Sequence, residues 1–462
     1  MAASAKPRYL VYIVSAIAAL SGLLFGFDTG IISGALLFIE KDFILSTELK
    51  ELIVSSVLLG AMFGSLLGGH LTDRFGRRRL MLVIAGLFVF GTIIASMANQ
   101  VSLILLGRLF IGVAIGIGSY TAPLYIAEIS PFELRGALVS LNQFAITVGI
   151  LCSYLINFTF ANHSGSWRIM FGIGLIPALM LSIGMFFLPE SPRWLIRQGA
   201  IDRAKKILQT LRNKPDVSEE VNYIQQSLQV KKASFKEIFS PTIRPVLFLG
   251  AILGFIQQAT GINTIIYYAP TIFQMAGFQN IAGSILATVG IGIVNVLATV
   301  FAIFYLDKLG RRPLLLIGLL GMFFSLLGLS LAFTLHTDIT RWIAMFCTFT
   351  YIISFAFSLG AILWLMIAEI FPLEIRGFAM GLAVFNCWLW NFIVSSTFLT
   401  LLNSVGPSQS FLIYAAMCVF SFVFCYYKTP ETNGVTLEQI EQNIRNRMPL
   451  RAIGQPVMSE TE

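Results

Sequence analysis

The six residues Asp73-Arg74-Phe75-Gly76-Arg77-Arg78 occur a second time, in altered form, as Asp307-Lys308-Leu309-Gly310-Arg311-Arg312. The two copies are 234 residues apart, and each follows a long apolar run. A second pair of segments is 241 residues apart: Glu128-Ile-Ser-Pro-Phe-Glu-Leu-Arg135-Gly136 and Glu369-Ile-Phe-Pro-Leu-Glu-Ile-Arg376-Gly377. Two matches in the same order at nearly one offset indicate that the chain contains a duplicated unit.

The apolar runs around these motifs recur along almost the whole chain. Of the 462 residues, 56% are hydrophobic and only 12% are charged, whereas soluble domains carry about 25% charged residues. Each run is close to the ~20 residues that a helix needs to cross a bilayer. These features disfavour a soluble enzyme. We predict twelve membrane spans, at 10–38, 50–71, 80–98, 102–127, 137–160, 167–188, 246–273, 281–305, 314–335, 342–369, 378–402 and 411–427.

The basic residues indicate the orientation of the chain. Of 31 lysines and arginines, 26 fall on the side of the predicted membrane that holds both termini, 4 fall on the other side, and Arg108 lies inside a span. The positive-inside rule therefore places both termini in the cytoplasm. The net charge of +8 does not indicate a nucleic-acid partner, because the basic residues are distributed between apolar runs. The first run is too long for a signal peptide and is expected to be retained as a helix.

The duplication and the spans together define the predicted fold class, an all-α membrane protein of twelve transmembrane helices in two pseudo-symmetric six-helix bundles. The expected domains are a bundle at 1–188, a cytoplasmic linker at 189–245, a bundle at 246–427 and a cytoplasmic tail at 428–462. Periodic apolar residues predict an amphipathic helix that starts near Asp202 and a second one capped by Ser218. A simple tether is the alternative for the linker. Parallel repeats are typical of secondary transporters.

One polar stretch interrupts an apolar span. Residues 257–270 read Q-Q-A-T-G-I-N-T-I-I-Y-Y-A-P, and in lipid such side chains cost free energy unless they face a partner or a water-filled cavity. Amides and phenols hydrogen-bond neutral, hydroxyl-rich molecules. The stretch therefore predicts a neutral polyhydroxylated ligand, with Gly261 as a break in the helix. Hydrogen bonding between helices is the alternative.

Asp28 and Arg108 are the two obvious charges inside the predicted spans. At ~1.5 Å per residue they lie about 15 Å and about 9 Å below the outer surface, and burying either alone costs several kcal/mol. We therefore expect them to pair. A carboxylate that alternates between an ion pair and a protonated form can couple a proton to transport, whereas a static structural pair is the alternative.

Further motifs support a family resemblance. They are Pro189-Glu190-Ser191-Pro192-Arg193-Trp194, Pro430-Glu431-Thr432, Gln257-Gln258 with Gly261-Ile262-Asn263, and Tyr267-Tyr268-Ala269-Pro270. With the two repeated motifs, the chain resembles the major facilitator superfamily, specifically its sugar porter branch, from Gly22 to Glu441. It is most similar to the bacterial proton-coupled galactose, arabinose and xylose symporters.

The resemblance implies a set of sugar-binding residues that offer amides, hydroxyls and aromatic faces. These residues are Gln143, Gln257, Gln258, Asn263, Tyr267, Asn295, Trp364, Trp388, Phe25 and Gly360. Packing between helices is the alternative for the tryptophans. The chain departs from the branch at Ala361, which puts the bending of span ten in doubt, and at Cys387 and Trp390, where a hydrogen-bonding partner is expected to be lost. It also departs at Asn433, where we expect little effect.

The resemblance also implies a cytoplasmic gate, a network of charges that holds the outward-facing state and breaks when the cytoplasmic side opens. Its expected members are acidic and basic residues at the cytoplasmic ends of both bundles: Asp73, Arg74, Arg77, Arg78, Glu128, Arg135, Glu190, Arg193, Asp307, Arg311, Arg312, Glu369 and Arg376. The alternative is that these charges only fix the orientation in the membrane. Exposed ion pairs contribute at most about 1 kcal/mol each, which suits a gate that must open.

The predicted function is a proton-coupled monosaccharide symporter that imports sugar by alternating access, with Asp28 and Arg108 coupling the proton. A facilitative sugar uniporter and a non-transporting sugar sensor remain alternatives. The sequence contains no Walker-type phosphate loop and no His or Cys cluster with metal-ligand spacing, so we expect neither an enzyme nor a cofactor, the proton being the coupling ion. The expected partners are a monosaccharide and the lipid bilayer, for a monomer in a bacterial inner membrane. The identity of the sugar stays open.

Overall fold

The computed structural model describes residues 9–163, 165–228, 238–335, 337, 339–372 and 374–455. Within these residues the regular elements are helices, and twelve of the helical segments are long and apolar enough to cross a membrane. The twelve predicted spans and the all-α fold class are confirmed. The twelve segments are Tyr9–Asp42, Thr47–Phe75, Arg77–Ser96, Val101–Ile129, Phe132–Thr159, Ser166–Phe187, Arg244–Met275, Ile281–Leu306, Arg311–Leu335, Thr340–Ile370, Arg376–Val405 and Pro407–Lys428.

Several spans consist of two consecutive helices, so the described chain has more helices than spans. In order they are α1 (Tyr9–Asp42), α2 (Thr47–Phe75), α3 (Arg77–Ser96), α4 (Val101–Ile129), α5 (Arg135–Phe160), α6 (Ser166–Ile173), α7 (Leu175–Phe187), α8 (Pro192–Arg197), α9 (Ile201–Arg212), α10 (Ser218–Leu228), α11 (Arg244–Ala259), α12 (Ile262–Met275), α13 (Ile281–Leu309), α14 (Arg311–Leu335), α15 (Thr340–Ala356), α16 (Leu359–Ile370), α17 (Arg376–Ser395), α18 (Phe398–Val405), α19 (Pro407–Lys428) and α20 (Leu437–Arg445).

Span seven breaks at Gly261, as predicted. Gly261 has a φ of 91°, in the left-handed region that residues with a Cβ rarely adopt, and it separates α11 from α12. The break leaves the carbonyl of Thr260 without a partner in the helical ladder, and this oxygen accepts a hydrogen bond from the Tyr351 hydroxyl at 2.8 Å. A side chain from span ten therefore compensates for the interruption.

Span ten also breaks. The sequence analysis had put its bending in doubt, because Ala361 stands where the family usually has a proline. Ser358 separates α15 from α16 with φ −114° and ψ −102°. The Ser358 hydroxyl donates to the Ser354 carbonyl at 2.5 Å, a local side-chain bond that competes with the helical ladder. The bend therefore precedes Ala361 by three residues and does not need a proline.

Helices α1 and α5 approach each other along a row of glycines. Gly22, Gly26, Gly30 and Gly34 are spaced four residues apart on α1, so they share one face of the helix. A Cβ on Gly26 would overlap the backbone of Ile146, and a Cβ on Gly149 of α5 would overlap the Leu23 carbonyl. Around Gly26 and Gly149 the two backbones therefore touch without intervening side chains, as is common where membrane helices pack through small residues.

The linker forms the two expected amphipathic helices, α9 and α10, which pack with α8 around a small apolar core. That core includes Leu195, Ile196, Ala204, Leu208, Val217 and Val221. Arg212 attaches α9 to the end of α4: its Nη1 donates to the Ile129 carbonyl at 2.7 Å and its Nη2 to the Ser130 carbonyl at 3.3 Å. Carbonyls at the C-terminus of a helix attract a cation. The linker is thus a folded element, and the simple-tether alternative is wrong for its described residues.

The expected cap of α10 is wrong in one detail. Ser218 is the first residue of the helix, and the carboxylate of Asp216 accepts hydrogen bonds from the Ser218 backbone N–H at 3.0 Å and from its hydroxyl at 2.7 Å. The hydroxyl bond lowers the pKa of the exposed Asp216 carboxyl below its usual value. The aspartate supplies the acceptor, and the serine is one of its donors.

Packing divides the chain into two compact units. Among the described residues, the first unit holds 9–31, 56–153 and 165–228, and the second holds 32–55, 154–163 and the residues from 238 to 455. The predicted domain boundaries at 188, 245 and 427 stay predictions, because units of packing and units of duplication need not coincide. Each unit is described by itself below.

Candidate functional site

The amides of the predicted ligand stretch form a buried network in the second unit. Gln257 and Gln258 end α11 and are each 5% exposed. Gln257 Nε2 donates to the Leu359 carbonyl at 3.0 Å, and Gln258 Nε2 donates to Gln257 Oε1 at 3.2 Å. From beyond the Gly261 break, Asn263 Nδ2 donates to Gln258 Oε1 at 2.7 Å. The break therefore brings amides from both sides of it into contact.

Cys387 completes this network from α17. Its Sγ lies 3.0 Å from Gln258 Nε2 and 3.1 Å from Gln257 Oε1, so the thiol accepts from one amide and donates to the other. Cys387 therefore keeps hydrogen bonds to both glutamines, and the expectation that the ligand loses a hydrogen-bonding partner at this position stays a prediction. Trp390, the other altered residue, packs edge-on against Phe255 with ring centroids 4.6 Å apart.

The other predicted sugar-binding residues of the second unit lie on the helices around these amides. Tyr267 on α12, Asn295 on α13, Gly360 on α16 and Trp388 on α17 are buried, whereas Trp364 on α16 is half-buried. Gln257 contacts the first residue of α16 and Cys387 precedes Trp388, which brings the amides close to both tryptophan-bearing helices. Amide groups beside aromatic side chains suit a ligand with hydroxyls and apolar C–H faces.

Two predicted sugar-binding residues belong to the first unit. Gln143 lies on α5 and Phe25 on α1, the two helices that meet along the glycine row, and both side chains are half-buried. Their part in ligand binding stays a prediction.

Asp28 and Arg108 form the expected ion pair inside the first unit. Arg108 Nη1 lies 3.3 Å from Asp28 Oδ1, and Nη2 lies 3.5 Å from Oδ2. The two residues are 2% and 0% exposed. The guanidinium also lies 5.8 Å from the centroid of the Phe171 ring, within the range of a cation–π contact. The expected pairing is confirmed, and its role in proton coupling stays a prediction.

A buried arginine organises the cytoplasmic charges of the first unit. Both oxygens of Glu128 lie 2.8 Å from nitrogens of the Arg77 guanidinium, and one of them, Oε1, accepts a hydrogen bond from Nη2. Glu190 Oε1 accepts from the backbone N–H groups of Arg77 and Arg78, at the start of α3. Asp73 lies 3.7 Å from Arg77 and 2.7 Å from Arg197. A helix N-terminus favours a carboxylate, because its first N–H groups lack partners within the helix.

The second unit repeats this arrangement at the start of α14. Arg311 Nη2 lies 3.2 Å from Glu369 Oε1, and Glu431 accepts from the backbone N–H groups of Arg311 and Arg312 at 3.1 and 3.0 Å. Asn433 Oδ1 accepts from Arg311 Nη1 at 3.0 Å. The amide oxygen of Asn433 thus adds a partner to the central arginine, and the expectation that this departure from the family has little effect stays a prediction.

Other predicted gate residues have different partners. Arg78 Nε and Arg312 Nη2 donate to the carbonyls of Met185 and Tyr426, at the ends of spans six and twelve. Arg376 Nε donates to the Phe371 carbonyl at 3.0 Å.

The remaining arginines of the predicted gate contact rings or a hydroxyl. Arg74 lies over the Phe75 ring and Arg135 over the Phe132 ring, and Arg193 donates to Ser227 Oγ at 3.3 Å. The expectation that Arg74, Arg135 and Arg193 pair with acidic residues is wrong within the described part of the chain. The side chain of Asp307 lies outside the described residues.

The sequence analysis missed a buried carboxylate near the other end of the spans. Glu51 on α2 is 3% exposed. Its Oε1 accepts from the Thr400 backbone N–H at 2.7 Å and its Oε2 from the Thr400 hydroxyl at 2.8 Å. Thr400 lies in the first turn of α18, so Glu51 caps a helix that follows the break in span eleven. The sequence indicates this residue only as an acidic side chain at the edge of an apolar run. The same pattern is expected where a solvated loop joins a span.

Twelve apolar helices with a buried ion pair and a buried amide network define a multi-pass integral membrane transporter. The family model described as "Sugar (and other) transporter" matches residues 14–444. The chain belongs to this family, the sugar porters of the major facilitator superfamily, which is not a family of enzymes.

Relatives support this assignment over nearly the full chain. The galactose-proton symporter of Escherichia coli K12 is 40% identical over 453 residues, covering 97% of each chain. The glucose transporter GlcP of Staphylococcus epidermidis is 39% identical over 445 residues, covering 96% of this chain and 99% of GlcP. The partially occluded inward-open structure of the xylose transporter XylE from E. coli matches with a TM-score of 0.83 and 32% identity, covering 93% of this chain and 100% of XylE.

Proposed function

We propose that this protein is a proton-coupled symporter that imports a monosaccharide by alternating access. The observation that carries the proposal is the ion pair of Asp28 and Arg108, which is buried inside the membrane spans. A buried charge pair is expensive to maintain, and an apolar pair of similar size is often no less stable. Such a pair is therefore more readily understood if one of its members changes its charge during the transport cycle. The symport activity of the galactose relative supports this proposal.

The geometry of the pair suits reversible protonation. The two N–O distances, 3.3 and 3.5 Å, are longer than those of a tight charge-assisted bond, about 2.7–2.9 Å. A proton on Asp28 removes the charge attraction, and the Phe171 ring then remains as a partner for the cation. We propose that this loosening accompanies sugar loading from the outer side, with the amides of Gln257, Gln258 and Asn263 binding the hydroxyls of the sugar.

The direct test is the pH of a lightly buffered suspension of cells that express the protein. Addition of a transported sugar is expected to make the medium more alkaline, and an uncoupler is expected to abolish the signal. Uptake that equilibrates without any pH change, for every transported sugar, would refute the coupling and leave a uniporter.

Asp28→Asn separates coupling from binding. The amide cannot carry the proton, so we expect accumulation and alkalinisation to disappear while sugar binding and exchange persist. The variant leaves Arg108 buried without its counter-charge, which costs about 3–5 kcal/mol, so the folded fraction must be measured beside transport. Asp28→Glu keeps a titratable group and is expected to retain part of the coupling. Equal loss of binding and accumulation in folded Asp28→Asn protein would contradict the coupling role.

Orientation, location and assembly are part of the same proposal. We propose a monomer in a bacterial inner membrane with both termini in the cytoplasm. The unequal distribution of lysine and arginine between the two sides supports this orientation of the termini. Reporter fusions at the two termini test the orientation, and light scattering of the purified protein tests the monomer.

A further inference from the structure

Gln257, Gln258 and Cys387 form a closed hydrogen-bonded ring. Gln258 Nε2 donates both to Gln257 Oε1 and to Cys387 Sγ, and the thiol donates to Gln257 Oε1. All three side chains are at least nine-tenths buried. Each member of the ring contacts the other two, so none of the three can turn without breaking two of these hydrogen bonds.

The ring determines which polar atoms of the glutamines are left for a ligand. An amide nitrogen carries two hydrogens and an amide oxygen has two lone pairs. Both hydrogens of Gln258 Nε2 and both lone pairs of Gln257 Oε1 are used inside the ring. One hydrogen of Gln257 Nε2 is used by Leu359, and one lone pair of Gln258 Oε1 by Asn263. Gln257 therefore presents a donor and Gln258 an acceptor.

The orientation of a glutamine amide is not fixed by the side chain itself. Its terminal torsion is broad and roughly two-fold, so an unrestrained amide presents either its oxygen or its nitrogen to a ligand. The Leu359 carbonyl can only accept, so it fixes which way Gln257 turns its Nε2, and a flip of one amide alone would set two nitrogens or two oxygens of the glutamines against each other. The Cys387 thiol accepts from the Gln258 nitrogen and donates to the Gln257 oxygen, at 3.0 and 3.1 Å, and so holds both amides in the orientation that this carbonyl fixes.

We propose that Cys387 is a positioning residue that holds the amides of Gln257 and Gln258 with one donor and one acceptor toward the sugar, and thereby sets the selectivity between sugars that differ at one hydroxyl. This inference rests on the proposed function, because it concerns the same sugar site. Cys387 acts through the two glutamines. The donor and the acceptor of its thiol are both used in hydrogen bonds within the ring. Epimeric sugars place a hydroxyl in different directions, and a fixed donor–acceptor pair accepts one direction better than the other.

The test compares uptake by the wild type, Cys387→Ala and Cys387→Ser over D-galactose, D-glucose, D-xylose and L-arabinose. Cys347→Ala is the matched control, since Cys347 is 8% exposed on α15 and makes no hydrogen bond in the described part of the chain. We expect Cys387→Ala to raise KM for the preferred sugar about tenfold, the size of one net hydrogen bond. We expect its maximal rate to stay within about twofold of the wild type.

Selectivity is the readout that a merely structural role would not change. For the sugar pair that the wild type separates best, Cys387→Ala is expected to reduce the ratio of the two KM values about tenfold. Cys387→Ser keeps a donor and an acceptor and is expected to restore most of that ratio. Cys347→Ala is expected to behave as the wild type.

The outcomes separate this inference from the proposed function. If the wild type transports none of the sugars, the proposed function fails before any variant is made. If the wild type discriminates and Cys387→Ala keeps the same ratio, the positioning role is wrong. The same conclusion follows if Cys387→Ala lowers the maximal rate for every sugar equally at unchanged KM.

Discussion

The carboxylates of Glu190 and Glu431 occupy equivalent places in the two repeats but use their oxygens differently. A single oxygen of Glu190, Oε1, accepts from the backbone N–H groups of Arg77 at 2.8 Å, Arg78 at 3.1 Å and Ser191 at 2.9 Å. A glutamine at this position can place its one amide oxygen where Oε1 lies. We therefore expect Glu190→Gln to lose the negative charge and to keep the acceptor.

Glu431 accepts the equivalent hydrogen bonds with both of its carboxylate oxygens. Its Oε1 accepts from the N–H groups of Arg311 at 3.1 Å and Asn433 at 2.9 Å, and its Oε2 accepts from Arg312 at 3.0 Å. A glutamine has only one acceptor oxygen, so its NH₂ group must face at least one of these N–H groups. Glu431→Gln therefore loses a charge-assisted hydrogen bond in addition to the charge.

The magnitudes follow from these bonds. Loss of the charge at a helix N-terminus costs about 0.3–1 kcal/mol in either repeat. Loss of one hydrogen bond to a charged group adds about 1.5–3 kcal/mol for Glu431→Gln alone. The variant in the second repeat is therefore expected to be less stable than its counterpart in the first repeat by roughly 1.5 kcal/mol or more.

The assay is the thermal midpoint of the purified protein in detergent, followed by tryptophan fluorescence. The thermal midpoint is expected to fall in the order wild type, Glu190→Gln, Glu431→Gln. Glu133→Gln is the control, because Glu133 is exposed in the short 3-10 helix that precedes α5. The two alanine variants remove every bond of both carboxylates and are expected to be similar to each other. Equal midpoints for the two glutamine variants, or a lower one for Glu190→Gln, would refute this account of the oxygens.

Three further predictions follow from other features of the structure. Gly261→Ala is expected to lower both the thermal midpoint and the sugar affinity. A Cβ at a φ of 91° costs roughly 1–2 kcal/mol and would lie 3.0 Å from Tyr414 Cδ1. If the variant has the same midpoint as the wild type, the break does not need a residue that tolerates the left-handed region. Glu51→Ala removes both bonds to Thr400 and is expected to destabilise the protein by about 1.5–3 kcal/mol, more than Glu51→Gln does, measured by the same thermal assay. Arg212→Ala is expected to accelerate cleavage of α9 by a lysine-specific protease several-fold, since the arginine holds that helix to the end of span four; an unchanged cleavage rate would show that the apolar core alone suffices.

The membrane spans could be predicted because hydrophobicity over a helix length is a local property of the sequence. The break at Gly261 was predictable for the same reason, since a glycine inside a polar stretch weakens a helix without help from elsewhere. The break at Ser358 was not, because serine is common inside helices. That break coincides with a side-chain bond to the Ser354 carbonyl, which only the folded backbone shows.

The candidate site was predictable in composition and only partly in connectivity. The glutamines and the asparagine stand out in an apolar run, and a buried aspartate requires a partner such as Arg108. The hydrogen bonds of Cys387 could not be predicted, because a sequence does not show that a thiol reaches two amides from another helix. Glu51 was missed for a similar reason, since its partner Thr400 lies 349 residues further along the chain.

The row of glycines between α1 and α5 has a mechanical consequence. Where two backbones touch, as at Gly26 and Gly149 in the first unit, neither helix can rotate or slide without a steric clash, so we expect these stretches of α1 and α5 to move together. Asp28 belongs to one of these helices and Gln143 to the other. We therefore expect a displacement of α1 at the Asp28 carboxylate to carry the α5 segment that holds Gln143 with it, directly through the contact between the two backbones.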